Sequence, residues 1–237
     1  MSNYYVTGDI HGQFGDLKTR VKKNLTENDS LIILGDCGFN YTFNINDMIL
    51  KNKVNSLGID IYCVKGNHEA RPQFVDGMEK IFSSKLGNYV YQEKEYPHIK
   101  YLIDGEVYNF NNYKTLVIGG AYSVDKLYRI RMNYTWFCDE QLSKEEMEEI
   151  EAKYCGESFD FVFSHTCPLD WQPTDMFLSS IDQKTVDNSM EIWLNSFKNT
   201  IFWKNWIFGH YHVDRIVEPG VEIFYSNVKN LDAFGKE

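Results

Sequence analysis

Short apolar runs, each stopped by a residue able to hold a metal ion, constrain this chain more than any other feature. Tyr4-Tyr5-Val6-Thr7 stops at Gly8-Asp9-Ile10-His11-Gly12, and Ser30-Leu31-Ile32-Ile33-Leu34 stops at Gly35-Asp36-Cys37-Gly38. Residues 59–64 lead into Gly66-Asn67-His68-Glu69, residues 159–163 into Ser164-His165-Thr166-Cys167-Pro168, and residues 205–208 into Gly209-His210-Tyr211-His212. A continuous apolar run is the mark of a strand buried on both faces. Glycine beside it lets the backbone turn sharply. The fold must therefore deliver carboxylate, amide and imidazole groups from five strand ends.

Helical spacing fills the gaps between the first strands. Phe14, Leu17, Val21 and Leu25 recur at the helical period. Residues 46–57 suit a second helix closed by Gly58, and Pro72 fits the first turn of a third. This βαβαβα order predicts an α/β fold with a parallel sheet and right-handed crossovers. The middle of the chain changes character. Residues 89–91, 99–103, 107–110 and 115–118 read as short strands in antiparallel or mixed pairing. Residues 123–140 lack periodicity and read as a long loop or lid. Ser143-Lys144-Glu145-Glu146 is a capping box opening an acidic helix to about Tyr154. Residues 186–197 read as a helix whose apolar contacts are Met190, Ile192, Trp193 and Phe197. Residues 216–225 form a closing hairpin around Pro219-Gly220. No repeat or linker interrupts residues 1–237, so one domain is expected, with lid segments at about 120–142 and 168–185.

The chain has 237 residues, 43% of them hydrophobic, enough for a sizeable core. Its formal net charge of −10 argues against general binding to a nucleic-acid backbone. Five cysteines, an odd count without C-x-x-C spacing, suggest reduced thiols and no disulfide framework. The first residues enter a strand with no basic region followed by an apolar run, so no secretory signal is expected. No apolar run approaches the roughly 20 residues that a membrane span needs. A cytoplasmic protein with no membrane partner is the expectation.

Asp9, His11, Asp36, Asn67, His165, His210 and His212 together offer two carboxylates, one amide and four imidazoles. That exceeds the coordination of one ion and suits two ions sharing a bridging carboxylate. Mixed nitrogen and oxygen donors without thiolate favour Mn, Fe, Zn or Ni over Ca. Mn is the leading choice, with Mg also compatible. Any one of these motifs alone reads as an ordinary loop or turn. Five in order, each after a predicted strand, do not.

Gly8-Asp9-x-His11-Gly12, Gly35-Asp36, Gly66-Asn67-His68-Glu69, Ser164-His165 and Gly209-His210-x-His212 resemble the calcineurin-like metallophosphoesterases. The resemblance spans nearly the whole chain. It implies a two-sheet mixed β-sandwich flanked by helices, the αββα metallophosphoesterase architecture. It also implies that Asp9, His11 and His212 hold one metal, that Asn67, His165 and His210 hold the other, and that Asp36 bridges them. His68 then contacts the phosphate and protonates the leaving oxygen. Two ions about 3.5–4 Å apart can hold both the attacking water and the phosphoryl oxygens. A metal-bridging water is acidified and attacks as hydroxide. His68 and Asp36 are thus the catalytic candidates, and Glu69, Asp16 or Asp170 the candidates to orient His68.

The second motif departs from the family's longer form, Gly-Asp-x-x-Asp-Arg-Gly. Here it continues Cys37-Gly38-Phe39-Asn40-Tyr41, without the second Asp or the phosphate-binding Arg. Asn40 offers a partial substitute for the Asp. Guanidinium clamping must come from elsewhere, with Arg71, Arg129 and Arg131 as candidates beside Asn67 and His68. Cys37 occupies a variable position and reads as structural. Tyr122, Trp136 and Tyr211 either pack or stack on an aromatic leaving group. Gly12 and Glu69 lean toward the protein-phosphatase-like branch, so a phosphomonoesterase acting on a phosphorylated small molecule, nucleotide or phosphoprotein is expected. The alternatives are a phosphodiesterase acting on nucleotides or cyclic nucleotides, and a metal-binding scaffold without catalysis.

Overall fold

The structure, a computed structural model, describes residues 3–234. Strands β1 (Tyr4–Thr7), β2 (Ser30–Ile33) and β3 (Asp60–Cys63) run parallel, joined by helices α1 (Phe14–Asn24) and α2 (Ile45–Asn55). Next come β4 (Met78–Ser83), β5 (Asn88–Glu93), β6 (Ile99–Tyr101), β7 (Glu106–Phe110) and β8 (Tyr113–Ile118). Helices α3 (Lys126–Arg131) and α4 (Lys144–Tyr154) precede β9 (Ser158–Ser164), and α5 (Ser189–Phe197) precedes β10 (Phe202–Phe208). The hairpin β11 (Arg215–Glu218) and β12 (Val221–Ile223) and the short β13 (Lys229–Asn230) end the described chain.

These strands form two mixed sheets. The first has the order β13-β1-β2-β3-β6-β5-β4, and the second β11-β12-β10-β9-β8-β7. Each has four parallel strands at its centre, β1-β2-β3-β6 and β12-β10-β9-β8, with antiparallel strands outside. Between the sheets, Val6, Ile32, Leu34 and Val64 meet Phe110, Val117, Phe161, Phe163 and Ile207. The outer face of the first sheet buries Leu31, Ile33 and Ile61 beneath Leu17, Val21 and Val54 of α1 and α2. The outer face of the second buries Val162, Trp206 and Phe208 beneath Met147 and Ile150 of α4 and Met190, Leu194 and Phe197 of α5. The result is the αββα arrangement. It explains the unbroken apolar runs: β2 has Leu31 and Ile33 toward helices and Ile32 toward the other sheet, so both of its faces are dry.

Four expectations need correction. The third helix is a single turn, Pro72–Phe74, after which Gly77 at φ +79° redirects the chain into β4. That strand lies at the sheet edge and exposes Glu79, Lys80 and Phe82, so it carries no apolar run to betray it. The 123–140 segment contains α3, a six-residue helix too short to show a period. In α5 the inward residue is Leu194, while Ile192 is exposed. The capping box of α4 is present in both directions, with Glu146 N–H donating to Ser143 Oγ at 3.2 Å and Ser143 N–H to Glu146 Oε2 at 2.7 Å. None of the described helices is long and apolar enough to cross a membrane.

Candidate metal centre

The loops after β1, β2, β3, β9 and β10 converge on one spot. His11 Nε2 lies 2.8 Å from His212 Nε2 and 3.6 Å from Asp9 Oδ2, and His212 Nε2 is 3.2 Å from the same oxygen. Asp36 reaches across: its Oδ2 is 3.8 Å from His11 Nε2 and its Oδ1 is 3.7 Å from His165 Nε2. Two groups of donors are close enough to hold an ion, Asp9 with His11 and His212, and Asp9 with Asp36 and His165. The His210 ring meets His165 edge-on, ring centroids 5.0 Å apart, and the His210 backbone N–H donates to Asp9 Oδ1 at 2.9 Å. All seven ligand candidates are thus brought together.

The backbone is strained where it presents these side chains. His11, Asp36, His210 and His212 have φ of 48°, 50°, 68° and 52°. Such left-handed conformations are uncommon for residues with a Cβ and cluster at functional sites. The motif glycines make room. A Cβ on Gly66 would stand 2.0 Å from Asp36 Oδ1, and one on Gly35 2.1 Å from His165 Nδ1.

Hydrogen-bond logic shows that this cluster fits cations. Asp9 Oδ2 is buried and makes no hydrogen bond among the described residues. The Leu34 carbonyl can only accept, so the 2.7 Å contact to His165 Nδ1 puts the ring proton on Nδ1. The lone pair of Nε2 then faces Asn67 Oδ1 at 2.9 Å. That oxygen's identity is set by a chain of donations from Asn67 Nδ2 to Ser123 Oγ and from Ser123 Oγ to Glu140 Oε2. Acceptor against acceptor repels unless a cation lies between them. Two carboxylates and several imidazole lone pairs without thiolate suit a divalent transition metal.

The electrostatics agree. Burial opposes charge on Asp36, but His165, His68 and His11 outweigh it and hold the carboxyl well below the usual range. Asp9 is held low against burial by His212 and His165. Burial and neighbouring His165 push His210 down to about 3, which keeps its ring neutral and able to ligate.

His68 sits differently from the expectation. None of Glu69, Asp16 or Asp170 orients it. Glu69 accepts from the N–H groups of Cys37 and Gly66, both at 3.1 Å, and burial and Asp36 push its carboxyl up to about 8. Asp16 pairs with Arg20, and Asp170 with Lys198. Instead a guanidinium nitrogen of Arg129 contacts His68 Nδ1. Arg129 is anchored by Asp125 Oδ2 at 2.8 Å and the Thr135 carbonyl at 3.1 Å. The ring atom turned toward Asp36 is His68 Nε2, and it is 3.4 Å from the same guanidinium nitrogen. This Nε2 lies 3.7 Å from Asp36 Oδ2. Burial, against the pull of Asp36 and reinforced by Arg129, lowers the His68 pKa.

Of the other arginine candidates, Arg71 is committed to Glu146, to Asp139 and to the Gln141 carbonyl, and Arg131 is exposed at the end of α3. Neither these two nor Arg129 lines the cavity beside Asp36, His68 and His210. Trp136 donates to Glu140 Oε2 and does not line it either, whereas Tyr122 and Tyr211 do. Asn40 is fully buried with its side-chain amide unpartnered among the described residues. Cys37 is buried among α1 and α2 contacts.

Several supporting residues escaped the sequence reading. Arg20 is buried beneath the first motif and donates to Thr7 Oγ1, Tyr225 O and Asp9 O. Its one signal was position, a cation beside Leu17 and Val21 on the buried face of α1. Asp214 accepts from the backbone N–H groups of Tyr225, Ser226 and Asn227 and so ties down the loop carrying His212. Glu140 and Ser123 fix Asn67 with no local signature at all.

Comparison with known proteins follows this geometry. The profile of the calcineurin-like phosphoesterase family matches residues 3–214. A search of curated proteins returned no match. Among solved structures the chain is similar to a protein serine/threonine phosphatase from Saccharomyces cerevisiae with similarity to human phosphatase PP5. That alignment has 13% identity and a TM-score of 0.39, over 94% of this chain and 67% of that one.

Proposed function

The chain belongs to the calcineurin-like phosphoesterase family and is a metal-dependent phosphoric ester hydrolase, and we propose that it cleaves phosphomonoesters at a two-ion centre. Asp9, His11 and His212 would hold one ion, and Asn67, His165 and His210 the other, with Asp36 available to both. The observation that carries this reading is Asp36, a buried carboxylate with one oxygen 3.8 Å from His11 Nε2 and the other 3.7 Å from His165 Nε2. Mn is the proposed metal, and bound ions would supply Lewis acidity and an activated water.

The chain's own residues do the rest. His68, charged as imidazolium, gives a proton from Nε2 to the leaving oxygen as its bond to phosphorus breaks and the bond from water forms, and the proton released by that water recharges the ring. Inorganic phosphate and the free alcohol are the products. Arg129, anchored by Asp125, holds the ring in place, and its positive charge makes the imidazolium a stronger acid. Its guanidinium also adds positive charge beside the phosphoryl site. Residues 120–142 and 168–185 cover the site as lids within the one domain. Five free cysteines support a reducing, cytoplasmic setting.

The experiment is hydrolysis of p-nitrophenyl phosphate beside bis-p-nitrophenyl phosphate by chelated protein resupplied with Mn. The reading predicts metal-restored turnover with the monoester preferred by at least roughly tenfold in kcat/KM, about 1.4 kcal/mol of transition-state discrimination. Preference for the diester would replace it with a phosphodiesterase.

A further inference from the structure

A cavity of about 470 Å³ opens directly beside Asp36, His68 and His210. Its walls come from both loop segments and are largely apolar, with Val124 on one side and Met176, Leu178, Ile181 and Val186 on the other. Leu178 and Met176 are 64% and 49% exposed, apolar surface offered to something other than the core. No lysine or arginine lines the cavity.

Glu191, on α5, is the unusual lining residue. It is 3% exposed. Its Oε1 accepts from Thr166 Oγ1 at 2.6 Å, and Thr166 Oγ1 is also 3.0 Å from the Tyr211 hydroxyl. Its Oε2 is buried with no hydrogen-bond partner among the described residues. A buried carboxylate oxygen without a donor is costly unless something supplies one. The phosphoryl chemistry does not use this group. Asp125, the other carboxylate on the cavity wall outside the metal cluster, is already paired with Arg129.

We propose that this cavity is the leaving-group subsite and that Glu191 is its specificity residue. The substrate class is then a phosphomonoester of an aromatic or apolar alcohol whose remote end is uncharged or cationic and donates a hydrogen bond to Glu191. This rests on the phosphomonoesterase reading above. Apolar walls take up the organic body by burial. Burial pushes the Glu191 carboxyl up to about 7, and a wall without lysine or arginine offers nothing to offset the desolvation of a second phosphate or an acidic peptide flank. A site built to bond a donor also discriminates strongly against an analogue lacking one, because its own acceptor is then left unpaired.

A series of aryl monophosphates differing only in the para tail tests this with the Mn-loaded full chain: phosphotyramine, 4-ethylphenyl phosphate and 3-(4-phosphonooxyphenyl)propanoate. The leaving phenols are near-identical, so differences in kcat/KM report on the tail. The expected order is cationic donor, then neutral, then anionic, with the first and last separated by roughly 100-fold. In Glu191→Gln, which keeps the shape, that ratio should shrink at least about tenfold, an effect general loosening of the fold would not produce. The wild-type series needs no variant to fold. A preferred anionic tail, or a ratio within about twofold of wild type in Glu191→Gln, overturns the inference. Failure to cleave any of the three or p-nitrophenyl phosphate, with metal bound, would instead overturn the phosphomonoesterase reading itself.

Discussion

The contact between Arg129 and His68 anchors a single imidazole beside Asp36 and helps to lower its pKa. With Arg129 at Nδ1, Nε2 is the ring nitrogen facing Asp36, the position from which the imidazolium would give its proton. His68→Ala should therefore lower kcat by about 10²–10⁴-fold, the usual worth of a general acid. Mn content by atomic absorption should stay at the wild-type value; loss of metal with the ring would make His68 a ligand. Asp214 works through the backbone. Burial raises its pKa, but donors from Tyr225, Ser226 and Asn227 outweigh burial and hold it below the ordinary carboxylate range. A depressed folded pKa contributes stability that is present above the unfolded value and is lost as pH falls through the folded one. Asp214→Asn should thus be less thermostable than wild type at neutral pH, and the gap in Tm should close as the pH drops below about 4. A gap independent of pH would show that Asp214 acts by packing alone. Part of this scale was legible in the sequence: the motifs name the Asp, Asn and His side chains that meet at the strand ends. The orienting groups were not, because Arg129, Glu140 and Ser123 reach the site through tertiary contacts from a segment with no periodicity.

Strand ends are the productive element of this fold. Each ligand-bearing loop starts where an apolar run leaves a sheet, and the loops pack so closely that glycine is required between them. Gly66→Ala would place a Cβ 2.0 Å from Asp36 Oδ1 and 2.2 Å from Asp36 N. The carboxylate cannot yield, since His68 N–H also binds that oxygen at 2.9 Å. The substitution should cost about 1–3 kcal/mol by urea denaturation and weaken Mn binding in a titration followed by calorimetry; wild-type affinity would mean that the loop relaxes freely. A strand dry on both faces announced itself, because β2 must carry Leu31, Ile32 and Ile33 without interruption. Strand β4 did not, because an edge strand facing solvent needs no such pattern. Helix α3 was hidden for a different reason: six residues make fewer than two turns, too few for a period to emerge.

At the scale of the whole molecule, two sheets with parallel centres bring five strand ends to one side of a sandwich whose three apolar layers are closed by helices. The layered class followed from the sequence of strands and helices. The partition of those strands into two sheets was implied by family resemblance, since nothing local tells β6 to join β3 while β8 joins β9. A net charge of −10 concentrates two of its carboxylates, Asp9 and Asp36, almost without solvent exposure. Cations balance that arrangement. The most direct test is p-nitrophenyl phosphate hydrolysis by fully chelated protein as Mn is added back in known equivalents per chain. The account predicts negligible turnover without metal and a rise that levels off at two equivalents. Undiminished turnover in the chelated protein, or saturation at a single equivalent, would contradict it.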